Sequence, residues 1–207
     1  MNETALLLRD SVAKVLSDVI TKQARTAAEQ GDWQSLWQVF DELGLPKLML
    51  PEERGGSNAG VTEAFALIEL LGQFAVPCPL AETIITARLL TRQGLVAPDG
   101  VLTLAPVSGP DSLKLQANGN DWKLNGEIRS IPWGHQAEAI ALVASTGQKT
   151  MLCIIKATDG NVKPGKNLAG EVRDDLGFTD VLIPAANAVE LSDPQILWRA
   201  GALMRSV

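Results

Sequence analysis

The single histidine, His135, and the two cysteines, Cys78 and Cys153, limit the chemistry that this chain can perform. A zinc site needs about four nitrogen or sulfur ligands, so these three side chains predict no metal centre. A Ser-His-Asp hydrolase would need a nucleophile on a Gly-x-Ser-x-Gly turn, and that motif is missing, as are the Gly-x-Gly-x-x-Gly turn and the phosphate-binding loop. Any cofactor is therefore held by something other than a Rossmann turn.

The composition is that of an ordinary folded protein and argues against several classes of partner. Of 207 residues, 46% are hydrophobic and 20% are charged, which suffices for a buried core. The net charge is −6, and no run of Lys or Arg suggests a nucleic-acid partner. The first residues are acidic and polar, and no stretch approaches the roughly 18 apolar residues of a membrane span. We expect a cytoplasmic protein without a membrane span, whose cysteines are reduced and buried.

Helical periodicity dominates the first half of the chain. Apolar residues recur at steps of three and four, and glycines follow the ends of the periodic segments. Asp32 is expected to be the N-cap of the second helix, and Gly44 its left-handed C-terminal cap. The predicted helices span residues 4–30, Asp32 to Gly44, Val61 to near Gly72, and about 80–93.

A tight, charged turn is expected at residues 50–58, between the second and third helices. Pro51 fixes its own φ and biases Leu50 towards an extended conformation, so the preceding helix must already have ended. Gly55 and Gly56 permit backbone conformations that are closed to other residues.

Short β-branched runs separated by turn residues replace the helical spacing near residue 100. Turns are expected at residues 118–121 and at Asn125-Gly126. A new helical pattern starts at Pro194 and is still running at the last residue. The predicted strands are 101–105, 112–117, 122–124, 128–131, 139–144, 150–155 and 180–183.

These patterns predict an α+β multidomain fold. An N-terminal all-α helical domain at residues 1–97 precedes an antiparallel β-barrel or sandwich domain at residues 98–190. Residues 191–207 are expected to begin a further helical domain.

Four stretches, in order along the chain, resemble segments of the acyl-CoA dehydrogenase family. Residues 50–58 resemble its Pro-Glu-Glu-x-Gly-Gly element, and residues 122–127 resemble a middle-domain strand with its turn. Residues 137–144 are similar to the family's A-D-x-x-x-V strand, and residues 178–184 to its F-D-x-V-x-V-P strand. The resemblance covers the whole chain and implies an FAD-dependent enzyme that forms an α,β double bond in an acyl-CoA thioester.

That chemistry requires a carboxylate that removes the α-proton, a flavin that accepts hydride, and hydrogen bonds to the thioester carbonyl. In the family, the flavin is held mainly by two middle-domain elements, T-E-P-x-x-G-S-D and K-x-W-I-T-N-G. The resemblance places the candidate cofactor-binding residues at the matching positions, which are Thr103, Leu104, Gly109, Ser130 and Pro132.

Both flavin elements are altered in this chain. Leu104 replaces the flavin-bonding Thr, and Pro110 replaces a Ser that contacts substrate. Ser130 replaces the Trp that packs on the flavin, and Pro132, which has no N–H, replaces a second Thr. Trp133 lies one step further, where a regular strand would place it on the opposite face. Main-chain contacts to the flavin could survive these changes.

The resemblance also implies an acyl-binding slot between the helical and β domains. We expect it on the apolar side of the helix that carries Ile84, Ile85, Leu89 and Leu90, and ordinary core packing is the alternative interpretation of these residues. The candidate substrate-binding residues are Pro110, Ile84 and Ile85.

No catalytic residue is predicted. The family's catalytic Glu belongs to a C-terminal helical domain, and this chain is expected to end just inside the first helix of that domain. The four glutamates considered are interpreted as solvated charges, because none falls where the family's base lies: Glu52, Glu53, Glu82 and Glu138.

Two hypotheses about function remain. The first is the N-terminal and middle-domain portion of a divergent acyl-CoA dehydrogenase, acting on an acyl-CoA substrate with FAD. The alternative is a non-catalytic family member with a degenerate flavin site, acting as a structural or heteromeric partner subunit. Both predict a homo- or hetero-oligomer with other family subunits.

Overall fold

A computed structural model of the chain describes residues 3–106, 112–193 and 195–205. The chain divides into two compact units, one comprising residues 1–87 together with 203–207 and the other spanning Arg88–Ala202. No helix in the described part of the chain has the length and apolar character needed to cross a membrane.

The first unit is helical, as predicted, although its first helix is divided. The extended backbone of Thr21 interrupts the predicted helix over residues 4–30. Its Oγ1 accepts a 3.1 Å hydrogen bond from the N–H of Ala24, so it caps a new helix. The predicted cap at Asp32 is also wrong by one position, because Trp33 is the N-cap. The helices are α1 (Glu3–Val19), α2 (Lys22–Glu29), α3 (Gln34–Glu42), α4 (Val61–Gln73) and α5 (Leu80–Arg92).

The turn at residues 50–58 has the predicted character. Pro51 is extended, residues Glu52–Arg54 form one 3₁₀ turn, and Gly55 is left-handed with φ of 74°. A Cβ on Gly56 would overlap the carbonyl groups of Leu50 and Lys47. The chain is then held against the preceding segment, because the N–H of Asn58 donates to the carbonyl of Leu50 over 2.8 Å.

The second unit is built around one eight-stranded sheet, with the order β6-β7-β3-β2-β4-β5-β8 and with β1 paired to β4. The sheet is mostly antiparallel, as predicted, but β1 and β2 run parallel to β4. Helix α6 (Ile196–Arg205) follows the sheet. The strands are β1 (Leu102–Leu104), β2 (Leu113–Asn118), β3 (Asp121–Pro132), β4 (Ala139–Ser145), β5 (Thr150–Lys156), β6 (Asn161–Lys163), β7 (Arg173–Ile183) and β8 (Ala188–Glu190).

Asn125-Gly126 is an irregularity within a continuous β3 strand, not the predicted turn. The register against β7 shifts between Leu124 and Gly126. Asn125 stabilises the shift, because its Nδ2 donates to Asp180 Oδ1 over 3.1 Å and its Oδ1 accepts from the N–H of Asp180 over 2.9 Å. Strand β7 begins seven residues before its predicted start at residue 180, and β6 and β8 are strands that the sequence patterns did not predict. The domain boundaries at residues 97 and 190 stay predictions.

Candidate cofactor site at the end of strand β3

Two of the candidate cofactor residues meet inside the second unit. Thr103 on β1 is fully buried, and its Oγ1 donates a 2.7 Å hydrogen bond to the carbonyl of Pro132 at the end of β3. Leu104 is also buried, and the N–H of Ala105 donates to the carbonyl of Ala141 on β4 over 2.9 Å. The bond between Thr103 and Pro132 brings together the two segments that resemble the flavin elements.

Ser130 lies at a second irregularity of β3, and its side chain is exposed. The register against β7 shifts between Ile128 and Ile131, and Ser130 takes a left-handed conformation with φ of 59°. The N–H of Ser130 donates to Asp175 Oδ1 over 3.0 Å. This acceptor compensates for the ladder bond that a bulged residue loses.

Trp133 does not lie on the strand, so the alternation of faces along a regular strand does not apply to it. It follows the end of β3 in a left-handed conformation with φ of 54°, and its side chain is partly exposed. Its carbonyl accepts hydrogen bonds from the N–H groups of Gln136 and Ala137, at 3.0 and 2.9 Å. A left-handed conformation at a bulky residue costs about 1–3 kcal/mol and persists only where the surroundings enforce it.

Asp174 on β7 is the residue that fixes the segment after Trp133. It is fully buried, and its Oδ2 lies 2.7 Å from both the main-chain nitrogen and the ring Nδ1 of His135. Its Oδ1 accepts from the N–H of Gly165 over 3.1 Å. A carboxylate oxygen accepts hydrogen bonds, so Nδ1 of His135 is the donor in this contact.

Asp174 was not a candidate in the sequence, although a signal was present. Alternate residues from Asp174 to Phe178 are buried on β7, so Asp174 occupies a core position of an alternating strand. A buried carboxylate requires partners, and the one histidine of the chain is an obvious candidate.

The structure describes two of the three candidate substrate-binding residues. Ile84 and Ile85 on α5 are buried, with 1% and 7% of their surface exposed, as are Leu89 and Leu90. Gly109 and Pro110 lie outside the described residues. Glu52, Glu53 and Glu138 are exposed and Glu82 is partly exposed.

An open groove of about 570 Å³ at β2, β3, β5 and β8 contains none of the candidate residues. It is lined by Leu115, Gln116, Ala117, Trp122, Thr146, Gln148, Lys149, Met151 and Glu190. No group of three or more His, Cys, Asp or Glu side chains in the described residues could hold a metal ion.

Both cysteines are free and buried, as predicted. Burial raises the pKa of each thiol to about 12. For Cys78, a hydrogen bond from the main chain of Leu80 opposes this effect, and the nearby charge of Glu82 adds to it. Neither thiol has the exposed, electropositive surroundings of a reactive cysteine.

Comparison with known proteins finds one family along this chain. Residues 2–95 match the acyl-CoA dehydrogenase N-terminal domain. Acyl-CoA dehydrogenase IpdE2 of Mycobacterium tuberculosis is 27% identical over 152 residues, which cover 72% of this chain and 44% of that protein.

Two solved structures share the fold. The ChsE4-ChsE5 complex from Mycobacterium tuberculosis is matched with a TM-score of 0.85 and 21% identity, over 98% of this chain and 60% of that one. A glutaryl-CoA dehydrogenase from Mycobacterium smegmatis in complex with FADH2 is matched with a TM-score of 0.81 and 14% identity, over 99% and 60%. The chain thus spans 44% of the curated relative and 60% of each of these solved chains. The chain therefore matches an N-terminal domain of the acyl-CoA dehydrogenase family over residues 2–95, and it is similar to a protein of that family over 72% of its length.

Proposed function

We propose that this chain is the N-terminal and middle-domain portion of a divergent FAD-dependent acyl-CoA dehydrogenase. The observation that carries the proposal is the hydrogen bond between Thr103 and Pro132, because it joins the two segments that resemble the family's flavin elements. The family match and the FADH2 complex of a structural neighbour support the cofactor.

The residues at the end of β3 fit a flavin in chemical type. A planar ring system needs an apolar surface and a few placed polar groups. Trp133 supplies a partly exposed indole, and Ser130 supplies an exposed hydroxyl. The buried Oε1 of Gln136 has no hydrogen-bond partner in the structure and could accept from a ligand N–H. Leu104 and Pro132 cannot supply the two hydroxyls usual in the family.

A bound FAD would supply the acceptor for the hydride that leaves the β-carbon of the acyl thioester. Thr103 and Pro132 hold β1 against the end of β3, and Ser130 and Trp133 would bind and orient the ring. The α-proton acceptor is assigned to no residue of this chain.

The test of cofactor binding is a titration of the purified chain with FAD. Binding is followed by the shift of the flavin absorption band and by flavin fluorescence. We expect a saturable, one-to-one complex, and Ser130→Ala should weaken it by removing the exposed hydroxyl. A chain that stays colourless after reconstitution with excess FAD would contradict the proposal.

Acyl-CoA is the proposed substrate, with Ile84 and Ile85 as contacts of the acyl chain. Enlarging Ile85 to Trp should reduce acyl-CoA binding more than the same change at Ile68, which is buried on α4. Equal effects of Ile85→Trp and Ile68→Trp would mean that Ile85 is only a core residue.

A second candidate function is a non-catalytic partner subunit. It is favoured by the burial of Thr103, Leu104 and Pro132, which directs these residues towards the core, and by the use of the Thr103 hydroxyl within the protein. One structural neighbour is itself a complex of two different chains, ChsE4 and ChsE5. This function predicts a homo- or hetero-oligomer whose flavin is held mainly by another subunit.

Co-expression with a complete family member distinguishes the two functions. The partner function predicts co-purification of the two chains and flavin binding by the complex but not by this chain alone. Light scattering coupled to size exclusion gives the stoichiometry. Flavin binding by the isolated chain, with no association, would favour the first function.

A further inference from the structure

We infer that Trp133 is the aromatic surface on which this chain packs the flavin ring, and that Asp174 positions it through His135. The inference rests on the proposed function, and it names a residue outside the aligned position of the family's tryptophan, where this chain has Ser130.

The first observation is the path of the chain at the end of β3. In a regular strand, residues 130 and 133 would face opposite sides, since three steps separate them. Here the register against β7 shifts between Ile128 and Ile131, and both Ser130 and Trp133 are left-handed. The alternation of faces therefore does not hold between these two residues. The geometry of a regular strand is then no reason to exclude Trp133 as a flavin contact.

The second observation is that the backbone of Trp133 is held on both sides. Its N–H donates to the carbonyl of Val172 over 3.4 Å, and its carbonyl accepts from Gln136 and Ala137. The neighbouring Gly134 is closely packed, because a Cβ there would lie 3.0 Å from Asp174 Cβ and Oδ2. The conformation of Trp133 is thus imposed by its neighbours, and strained residues held in this way cluster at ligand-binding and active sites.

The third observation is the contact between Asp174 and His135. One buried carboxylate oxygen binds both the main-chain N–H and the ring of His135, two residues beyond Trp133. The other oxygen binds the N–H of Gly165 before β7 begins. The segment after β3 is thereby fixed to the sheet, which limits the positions that the indole can take.

The aromatic surface also agrees with the chemistry of the ring. Indole and isoalloxazine are both flat and largely apolar on their faces, and stacked or edge contacts between aromatic rings are favourable. Among the described residues that match the family's flavin elements or adjoin them, Trp133 is the aromatic one that is partly exposed.

Fluorine NMR of the full chain labelled with 5-fluorotryptophan tests the contact directly. The chain has five tryptophans, and the Trp133 and Trp198 signals are assigned from Trp133→Phe and Trp198→Phe. We expect FAD to shift the Trp133 signal and to leave that of Trp198, which is exposed on α6, unchanged. This measurement needs no destabilised variant.

Binding constants from flavin fluorescence give the second readout. Trp133→Ala should raise the Kd for FAD about tenfold or more, Trp133→Phe should stay within about threefold, and Trp198→Ala should have no effect. Saturable FAD binding with an unmoved Trp133 signal and an unchanged Kd in Trp133→Ala would overturn the inference and leave the proposed function standing. No FAD binding by the wild-type chain would instead reject both.

The positioning role is tested by rescue. The side-chain amide of Asn reaches about as far as Nδ1 of His, so His135→Asn can still donate to Asp174, whereas His135→Ala cannot. We expect His135→Ala to raise the Kd for FAD about fivefold and to change the wild-type Trp133 signal, and His135→Asn to restore both. Identical spectra and Kd values for wild type and His135→Ala would reject the positioning role.

Discussion

The hydroxyl of Thr103 donates a 2.7 Å hydrogen bond to the carbonyl of Pro132, and so joins β1 to the end of β3. Pro132 lacks an N–H, but its carbonyl is still available and is used here. The end of β3 is therefore tied to the β1 segment from within the protein. This contact holds together the two segments that resemble the family's flavin elements.

Thr103→Val should destabilise the chain by about 1–3 kcal/mol, because it leaves the buried carbonyl of Pro132 without its donor. The shape of the side chain is nearly unchanged, so the decrease in the free energy of unfolding measures the loss of the hydrogen bond. Thr86→Val is the matched control, since the Thr86 hydroxyl is also buried but has no hydrogen-bond partner. Urea unfolding should show the control to be neutral or stabilising, and equal losses in both variants would contradict the assignment.

Gly56→Ala should destabilise the first unit by about 3 kcal/mol or more, since its Cβ would overlap the carbonyl of Leu50. Gly55→Ala is the comparison, because a Cβ there meets only Lys47 Cδ at 3.8 Å and the cost is that of a left-handed alanine, about 1 kcal/mol. Thermal unfolding followed by circular dichroism measures both. If Gly55→Ala proved the more damaging change, the close packing assigned to Gly56 would be wrong.

The two buried thiols predict a loss of stability at alkaline pH. Their pKa is raised from 9.0 to about 12 in the folded chain, so the folded state binds the protons more tightly than the unfolded state. The stabilisation of the folded state by these protonated thiols is complete below pH 9 and is lost as the pH rises from 9 towards 12. At pH 10 the loss is about 1.4 kcal/mol per cysteine. Urea unfolding between pH 7 and 10 should show a smaller decline in Cys78→Ala/Cys153→Ala than in wild type, and parallel declines would refute this cause.

The sequence predicted most of the fold where local signals agree with tertiary packing. Gly44 and Gly94 follow helices in left-handed conformations, and the Gly119 hairpin joins β2 to β3, as their spacing indicated. The failures occur where a polar residue has two local uses. Thr21 could continue a helix or cap one, and Asn125 could form a turn or hold a bulge. In each case the choice is made by partners that the local pattern does not reveal, such as Asp180, 55 residues away.

The candidate site was predictable only at the level of segments. The family motifs pointed to β1 and the end of β3, but they gave no information on the left-handed conformations of Ser130 and Trp133 in that segment. A register shift depends on the partner strand, and the residues of β7 that hold it lie some 45 positions further along the chain. Local spacing therefore predicted that Trp133 lies on the strand, whereas in the structure the strand ends one residue before it.

Asp174→Asn should destabilise the second unit by about 2–4 kcal/mol, although it changes only one atom of the side chain. All the contacts of this buried carboxylate come from donors: the N–H and Nδ1 of His135 and the N–H of Gly165. An amide turns one acceptor into an NH₂ group, which must then face one of these donors in either orientation.

Asp175→Asn is the control for Asp174→Asn, because Asp175 is partly exposed and accepts from the single N–H of Ser130. Its amide can keep that bond through the remaining oxygen, and water can solvate the NH₂ group. We expect a loss below about 1 kcal/mol in urea unfolding. Comparable losses in the two variants would mean that Asp174 is hydrated in solution, and that its contact with His135 does not hold the end of β3.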